Sequence, residues 1–346
     1  MFDIIVIGVG PAGATFARLV SSKYKVLILD KTNGRGKCCG GLIAPDAQAL
    51  LASFDIGIPK RVVSDPQLLY VKSIDLETNM ERNYQRHYTN INRKAFDEFL
   101  ISLLPPNVTL KTNCLYVNHK YEEDIISVTI KAGDVTQEER CRILVGADGA
   151  YSRVRGNVFD DFSLIRKYLA IQGEYKRLSP INHYAVFFDR TITDFYSWLI
   201  PKEDTVLVGG AFLEREKPRL KYAKLLSAVK GNKYQIGELI KVSACFLLRP
   251  RLKDIKIGKE NVALIGESAG FISPSSSEGL SYAYNSASAL AKALSEIDKE
   301  WLNRYRNYTR KLKLNIFFKI IKSAIMYNHF LRNLIFKTNI GSLKNI

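Results

Sequence analysis

Residues 2–13 read Phe2-Asp3-Ile4-Ile5-Val6-Ile7-Gly8-Val9-Gly10-Pro11-Ala12-Gly13, and this stretch decides the fold. An apolar run ends on Gly8, the glycines follow at the spacing G-x-G-x-x-G, and Gly10 to about Val20 reads as a helix. The pattern predicts a buried strand that turns sharply into a helix. Gly8 permits the turn, Gly10 leaves room for a pyrophosphate against the backbone, and Gly13 lets the helix lie close to the strand. The helix N-terminus offers free N–H groups and the positive end of its dipole to phosphates. Residues 24–30 predict a second strand that ends on Asp30, 17 residues beyond Gly13, where a carboxylate can bind a ribose hydroxyl. This is the β-α-β opening of a doubly wound α/β sheet.

Two further strand ends carry glycine turns. Gly146-Ala147-Asp148-Gly149 follows the apolar run at 142–147. Ile265-Gly266-Glu267-Ser268-Ala269-Gly270 follows another and leads through Ser275-Ser276-Ser277-Glu278-Gly279 into a helix from about Leu280 to Ile297. Any one of these is an ordinary strand-to-turn junction. The three in this order predict FAD rather than NAD alone, because a second strand-end acid and a late helix are needed to hold a ribityl chain and a flavin. A helix N-terminus aimed at N1 and O2 of reduced flavin stabilises its negative charge by ~0.3–2 kcal/mol.

The composition agrees with a folded protein with a large core. The 346 residues are 47% hydrophobic, enough for more than one domain. Five cysteines, two of them adjacent, are not a disulfide framework and predict a reducing compartment. Four histidines (His87, His119, His183, His329) are scattered singly, so no metal site is expected. The chain enters a strand at once, which predicts no signal peptide. No apolar run reaches the ~18 residues of a spanning helix. The expected location is the cytoplasm, with peripheral contact to the cytosolic membrane face.

The predicted FAD-binding domain is discontinuous, comprising 1–61, 91–160 and 251–300. Residues 62–90 and 161–250 are strand-rich and predict an inserted antiparallel sheet that binds substrate. Residues 92–104 predict a helix behind an Asn92 cap. Residues 301–346 form a third, basic segment. Of the net charge of +17, ten Lys or Arg and no Asp or Glu fall in these last 46 residues. Helical spacing there puts Lys311, Asn315, Lys319 and Lys322 on one stripe and Leu312, Ile316, Ile320 and Ala324 off it, with Phe317 and Ile321 widening the apolar arc and Lys313 and Arg310 breaking the pattern. The segment reads either as an interfacial helix on an anionic membrane or as a packed helix with a solvated basic face. Nothing resembles a nucleic-acid module, so no nucleic acid is expected as a partner, and the oligomeric state is not readable.

The order of the three junctions is similar to that of the flavoprotein group that includes the aromatic hydroxylases and the geranylgeranyl reductases. Cys39-Gly40-Gly41-Leu42 resembles the Cys-Gly-Gly loop of the geranylgeranyl reductase family, and Tyr196-Ser197-Trp198-Leu199-Ile200-Pro201 resembles its Tyr-x-Trp-x-x-Pro motif. The segments CGGLIAPDAQ, NINRKAFD, ITDFYSW and LIGESAGFIS resemble the CbrA-like bacterial branch, and the likeness runs from about residue 1 to 325. The resemblance implies that non-covalent FAD is held by Gly8, Gly10, Gly13, Asp30, Arg35, Gly40, Gly41, Arg93, Asp148, Gly149, Gly266, Glu267 and Gly279. Glu267 stands where most relatives have Asp, and Ser277 where Gly is common. Cys39 is the implied proton donor or a shaper of the loop. Tyr196, Trp198 and Pro201 are the implied substrate residues, with Cys38 incidental.

The implied activity is reduction of carbon–carbon double bonds of an isoprenoid, geranylgeranyl-type lipid by reduced flavin. NAD(P)H or another reductant would supply the electrons, without a second Rossmann motif of its own. The alternatives are a flavin-dependent monooxygenase or halogenase, whose Trp-x-Trp-x-Ile-Pro signature is partly matched at Trp198 and Pro201, and a flavin-binding protein without turnover.

Overall fold

The computed structural model describes residues 1–32, 38–160, 165–232 and 234–343. The chain divides into two compact units. The first comprises Met1–Gly36, Phe96–Arg166 and Leu248–Ile320; the second comprises Lys37–Ala95, Lys167–Leu247 and Ile321–Ile346. These boundaries lie within six residues of the sequence expectation except at two places. Residues 38–61 belong with the second unit, where the short strand Leu42–Ile43 pairs with the strand Met80–Asn90. Residues 301–346 form no third unit and are shared between the two.

In the first unit the strand Phe2–Ile7 lies at the centre of a mainly parallel sheet. It pairs in parallel with Val26–Leu29 on one side and with Val135–Gly146 on the other. Thr109–Lys111 extends one edge, and Val262–Leu264 the other, both in parallel register. The central strands are continuous apolar runs because both faces are covered; Ile4, Ile5, Val6, Leu27, Ile28, Ile143 and Leu144 are fully buried. The helix Pro11–Val20 buries Phe16, Ala17 and Val20, and packs on the helix Leu280–Ala293. An antiparallel hairpin, Cys114–Glu122 with Ile125–Ala132, joins the long strand Val135–Gly146.

The second unit is built on an eight-stranded sheet. Its strands run in the order Ile236–Leu248, Lys167–Arg177, Thr205–Leu213, Ser197–Lys202, Tyr184–Phe188, Leu68–Asp75, Met80–Asn90 and Leu42–Ile43. From Lys167–Arg177 to Leu42–Ile43 neighbouring strands pair antiparallel, except Tyr184–Phe188 and Leu68–Asp75, which run parallel. One apolar cluster gathers Tyr88, Tyr168, Tyr184, Phe195, Tyr196 and Trp198 with Phe336 from the C-terminal helix His329–Thr338. The opposite cluster packs against the helix Pro218–Gly231, through Tyr222, Leu225 and Val229. That helix and the helix Pro45–Ser53 were not anticipated from sequence. The helix Arg93–Ser102 begins behind the expected cap, where Asn92 Oδ1 accepts the Ala95 N–H at 3.1 Å.

Candidate functional site

In the first unit, the glycine turn has the geometry its sequence predicts. Gly8 sits at φ +103°, and a Cβ there would meet Ala147 O at 2.6 Å. A Cβ on Gly13 would meet Gly8 O at 2.0 Å, so neither position accepts a side chain. Gly10 is different, since nothing lies within 4 Å of a Cβ placed on it. It is the N-cap of the helix Pro11–Val20, and no side chain caps that end.

Asp30 stands at the end of the second strand as expected, but much of its carboxylate is already used. Oδ2 accepts the Val9 N–H at 2.9 Å, and Oδ1 accepts the N–H and hydroxyl of Thr32, each at 2.8 Å. Its observed work is to fix the glycine turn, with acceptor capacity remaining for one more donor. Asp148 likewise bonds locally. Its oxygens accept the Ser152 hydroxyl at 2.6 Å and the N–H groups of Arg153 and Val154 at 2.8 and 3.2 Å. Ser152 in turn caps the short helix Arg153–Val158. Gly149 follows at φ +77° with open space where a Cβ would stand.

Gly266 adopts φ +60°, and its N–H donates to Ser286 Oγ at 2.9 Å. Glu267 Oε1 accepts the Leu248 N–H at 3.1 Å. Ser277 takes φ +51°, the left-handed conformation that Gly adopts freely. The substitution therefore leaves the loop's backbone in a glycine-like state. Gly279 is the N-cap of the helix Leu280–Ala293, again with no side-chain cap. Sequence reasoning missed Arg155, which is fully buried and donates to the carbonyls of Ser268 at 3.2 Å and Asp254 at 2.5 Å. A charged residue in a short helix gives no pattern that would announce this role. Arg35 lies outside the described residues.

These features fit a bound dinucleotide. The open approach to Gly10 leaves space for a phosphate, two helix N-termini lack side-chain caps, and the buried Ser277 hydroxyl has no hydrogen-bond partner among the described residues.

In the second unit, the Cys39-Gly40-Gly41 loop is fastened to the sheet by side chains that the motif did not reveal. Gln172 Nε2 donates to Cys39 O at 3.5 Å, while Gln172 Oε1 accepts the Trp198 indole N–H at 2.9 Å. Ser243 Oγ donates to Cys38 Sγ at 3.3 Å, and Cys245 Sγ to Cys38 O at 3.2 Å, so Cys38 has a fastening role. Lys202 is buried and donates to Gly41 O at 3.2 Å, Ile91 O at 2.8 Å and Asn90 Oδ1. Burial pushes its ammonium down to about 8, partly offset by Cys39, Glu203 and Glu174. The glycines permit the close approach: a Cβ on Gly40 would meet Ile200 Cδ1 at 2.4 Å, and one on Gly41, at φ +64°, would meet Ile91 O at 2.3 Å.

Tyr196 and Trp198 share one face, with ring centroids 5.7 Å apart. A Cβ on Gly209 would meet the Trp198 ring at 2.6 Å, so Gly209 makes room for the indole. Both rings are buried in the aromatic cluster, and Pro201 contributes its carbonyl to Asn90 Nδ2 at 2.9 Å. Arg93 heads its helix, half-buried. The sequence-predicted residues thus fall into two sets. Cys39, Gly40, Gly41, Arg93, Tyr196, Trp198 and Pro201 are in the second unit, and the remaining described ones in the first.

The histidines are engaged singly. His183 Nε2 lies 2.9 Å from the Tyr234 hydroxyl, and burial lowers its pKa to about 4. Asp75, Glu77 and His329 cluster within 4.8 Å, but Arg332 and Arg190 already donate to these carboxylates, which makes the group an ion-pair latch.

No family model matches the chain. Protein CbrA of Escherichia coli is 39% identical over 351 residues, covering 100% of this chain and 95% of its own length. This chain belongs to the CbrA family. Protein CbrA of Shigella sonnei matches equally, at 39% identity over 100% of this chain and 99% of its own. Solved structures extend the CbrA fold further. A geranylgeranyl bacteriochlorophyll reductase-like protein from Thermoplasma acidophilum superposes with a TM-score of 0.85 at 16% identity, covering 100% of this chain and 92% of that one. The flavin-dependent halogenase CmlS gives 0.70 at 15% identity, over 92% and 63%. PqsL, a probable FAD-dependent monooxygenase from Pseudomonas aeruginosa, gives 0.70 at 15%, over 99% and 100%. At these identities the likeness establishes the fold that this chain shares with them, a parallel-sheet Rossmann-like core with an antiparallel sheet.

Proposed function

We propose that this CbrA-family chain is an FAD-dependent oxidoreductase that reduces carbon–carbon double bonds of a polyprenyl lipid from the cytosolic membrane face. The observation that carries the reading is the hydrogen-bonded link Trp198–Gln172–Cys39, which ties a buried aromatic cluster to a thiol-bearing loop. The fold likeness to flavoproteins and the cradle around Gly10 support FAD as the cofactor. Gly8, Gly10, Gly13 and the two uncapped helix N-termini would hold its phosphates, with Asp30 bracing the turn.

A reduced flavin held by these glycines would supply a hydride equivalent for one alkene carbon. The Cys39 thiol gives its proton to the other carbon; the S–H bond breaks, a C–H bond forms, and the thiolate regains a proton from water. An isolated alkene has no carbonyl to polarise, so water exclusion and close positioning carry the rate. Tyr196 and Trp198 supply the apolar walls. NAD(P)H or a reductant protein delivers the electrons.

The test is anaerobic incubation of chemically reduced holoprotein with geranylgeranyl lipids, read by mass spectrometry. One H2 gained per reduced bond is expected. Cys39→Ala should slow turnover by ~10²-fold or more while leaving flavin reduction intact, the usual size of a general-acid effect. No mass gain, with oxygen-dependent modification of an aromatic compound instead, would favour the monooxygenase or halogenase class that shares the fold. A bound flavin that no donor reduces would favour a binding protein without turnover.

A further inference from the structure

We propose that the helices Arg310–Tyr327 and His329–Thr338 dock the protein on an anionic lipid bilayer through outward apolar arcs bordered by lysines. The docking stands whether or not the chain reduces a lipid. In the first of these helices Ile316 is fully buried. At about 100° per residue, Leu312, Ile320 and Ser323 fall within roughly 40° of it and form the inward face. On the opposite side Leu314, Phe317, Phe318 and Ile321 recur at i, i+3, i+4 and i+7. They are 56, 42, 59 and 44% exposed. Lys311 and Lys322 border this arc and are exposed, and Arg310 lies within it.

The second helix repeats the arrangement. Phe336 and Arg332 face inward, at 3 and 4% exposure. On the other side Phe330, Leu334 and Leu331 are 73, 53 and 38% exposed, with exposed Lys337 beside them. Two successive helices therefore each carry a second apolar face that the protein does not cover. Exposed phenylalanines side by side are costly in water and favourable at the acyl boundary of a bilayer, where neighbouring lysines extend their stems to the headgroups.

Charge selects the occupant. Residues 301–346 hold ten Lys or Arg and no Asp or Glu; Arg304 and Arg332 pair with Asp298 and Asp75, while Arg310, Lys311, Lys322 and Lys337 stand at the arcs, so a negative surface complements this face. A second copy would bring the same positive charge to it. No helix among the described residues is long and apolar enough to cross a membrane, which leaves attachment in the plane of the interface.

The experiment is sedimentation of the full-length, FAD-loaded chain with vesicles of phosphatidylcholine, with and without phosphatidylglycerol, and with no polyprenyl lipid present. Binding should require phosphatidylglycerol and weaken with added salt. The paired substitutions Phe317→Ser with Phe318→Ser, and Phe330→Ser with Leu334→Ser, should each lower partitioning by roughly tenfold or more, the scale of removing two large apolar groups from an interface. Retained flavin absorbance shows that these surface variants are folded. Lys311→Gln with Lys322→Gln should weaken binding to the anionic vesicles alone. A wild-type chain that stays in the supernatant, or phenylalanine variants that bind unchanged, overturns the proposal. So does a lipid-free dimer that the same variants dissociate, because the arcs would then be an interface between copies.

Discussion

At the scale of single residues, the second-unit loop depends on one buried ammonium. Lys202 satisfies three acceptors on two chain segments, so Lys202→Met strands Gly41 O, Ile91 O and Asn90 Oδ1. Each stranded buried acceptor costs about 1–3 kcal/mol. The charge adds a pH signature. Its folded pKa of about 8 lies below the ordinary lysine value of 10.5. Between those two values the unfolded chain holds more protons, so stability contributed by Lys202 rises with pH and is lowest below about 8. The melting-temperature gap between wild type and Lys202→Met should therefore widen from pH 8 to 10.5. A constant gap would mean that Lys202 is not charged and buried as described. Ser277 makes a second residue-scale case. Its left-handed backbone should tolerate Ser277→Gly with little change in melting temperature, while Ser277→Val should cost about 1–2 kcal/mol. Equal melting of the two variants would refute that backbone state.

At the scale of elements, the C-terminal helix His329–Thr338 is latched to the strand Leu68–Asp75. Arg332 Nε donates to Asp75 Oδ2 at 2.7 Å, and both side chains are almost wholly buried. Arg332 also donates to Glu77 Oε1 at 3.4 Å and to Met326 O at 3.1 Å. Asp75 further accepts the N–H groups of Glu77 and Thr78, closing the turn after the strand. Removing one partner of a buried pair leaves the other charge uncompensated. Arg332→Ala should cost ~3–5 kcal/mol by urea denaturation, and a loss under 1 kcal/mol would show that the latch is solvated. The latch explains why truncation is a poor probe of the segment: Trp301, Tyr305, Ile316 and Phe336 are core residues, so deletion after Glu300 would open both units.

At the scale of the whole molecule, a cofactor that binds only the folded chain stabilises it by mass action. FAD at 100 times its dissociation constant should add about 2.7 kcal/mol. Gly10→Val separates cofactor binding from folding, because among the described residues no atom lies within 4 Å of a Cβ there. The variant should melt like FAD-stripped wild type and gain nothing from added FAD, whereas stripped wild type should turn yellow and rise in melting temperature. Tight FAD binding by Gly10→Val would remove the dinucleotide reading of this turn.

The strand–turn–helix at 2–20, the strand-end motifs and the strand-rich insertion were legible in the sequence because each rests on local rules. An apolar run of strand length, a glycine forced by a close backbone approach and a residue that caps the next helix all act within a few positions. The parallel core and antiparallel sheet followed from them. Long-range partners were not legible. Gln172, Lys202, Ser243 and Cys245 lie more than 130 residues beyond the loop they hold, and nothing in their own neighbourhoods marks them. Asp30 and Asp148 were read as cofactor ligands by position, yet their observed hydrogen bonds brace the turns around them. The C-terminal helices show the limit most clearly. The Arg310–Tyr327 sequence is apolar on two opposite sides, so its periodicity cannot say which side is inward. Tertiary structure decides that by burying Ile316 and leaving Phe317 and Phe318 exposed, because only packing against the rest of the chain distinguishes two equally apolar faces.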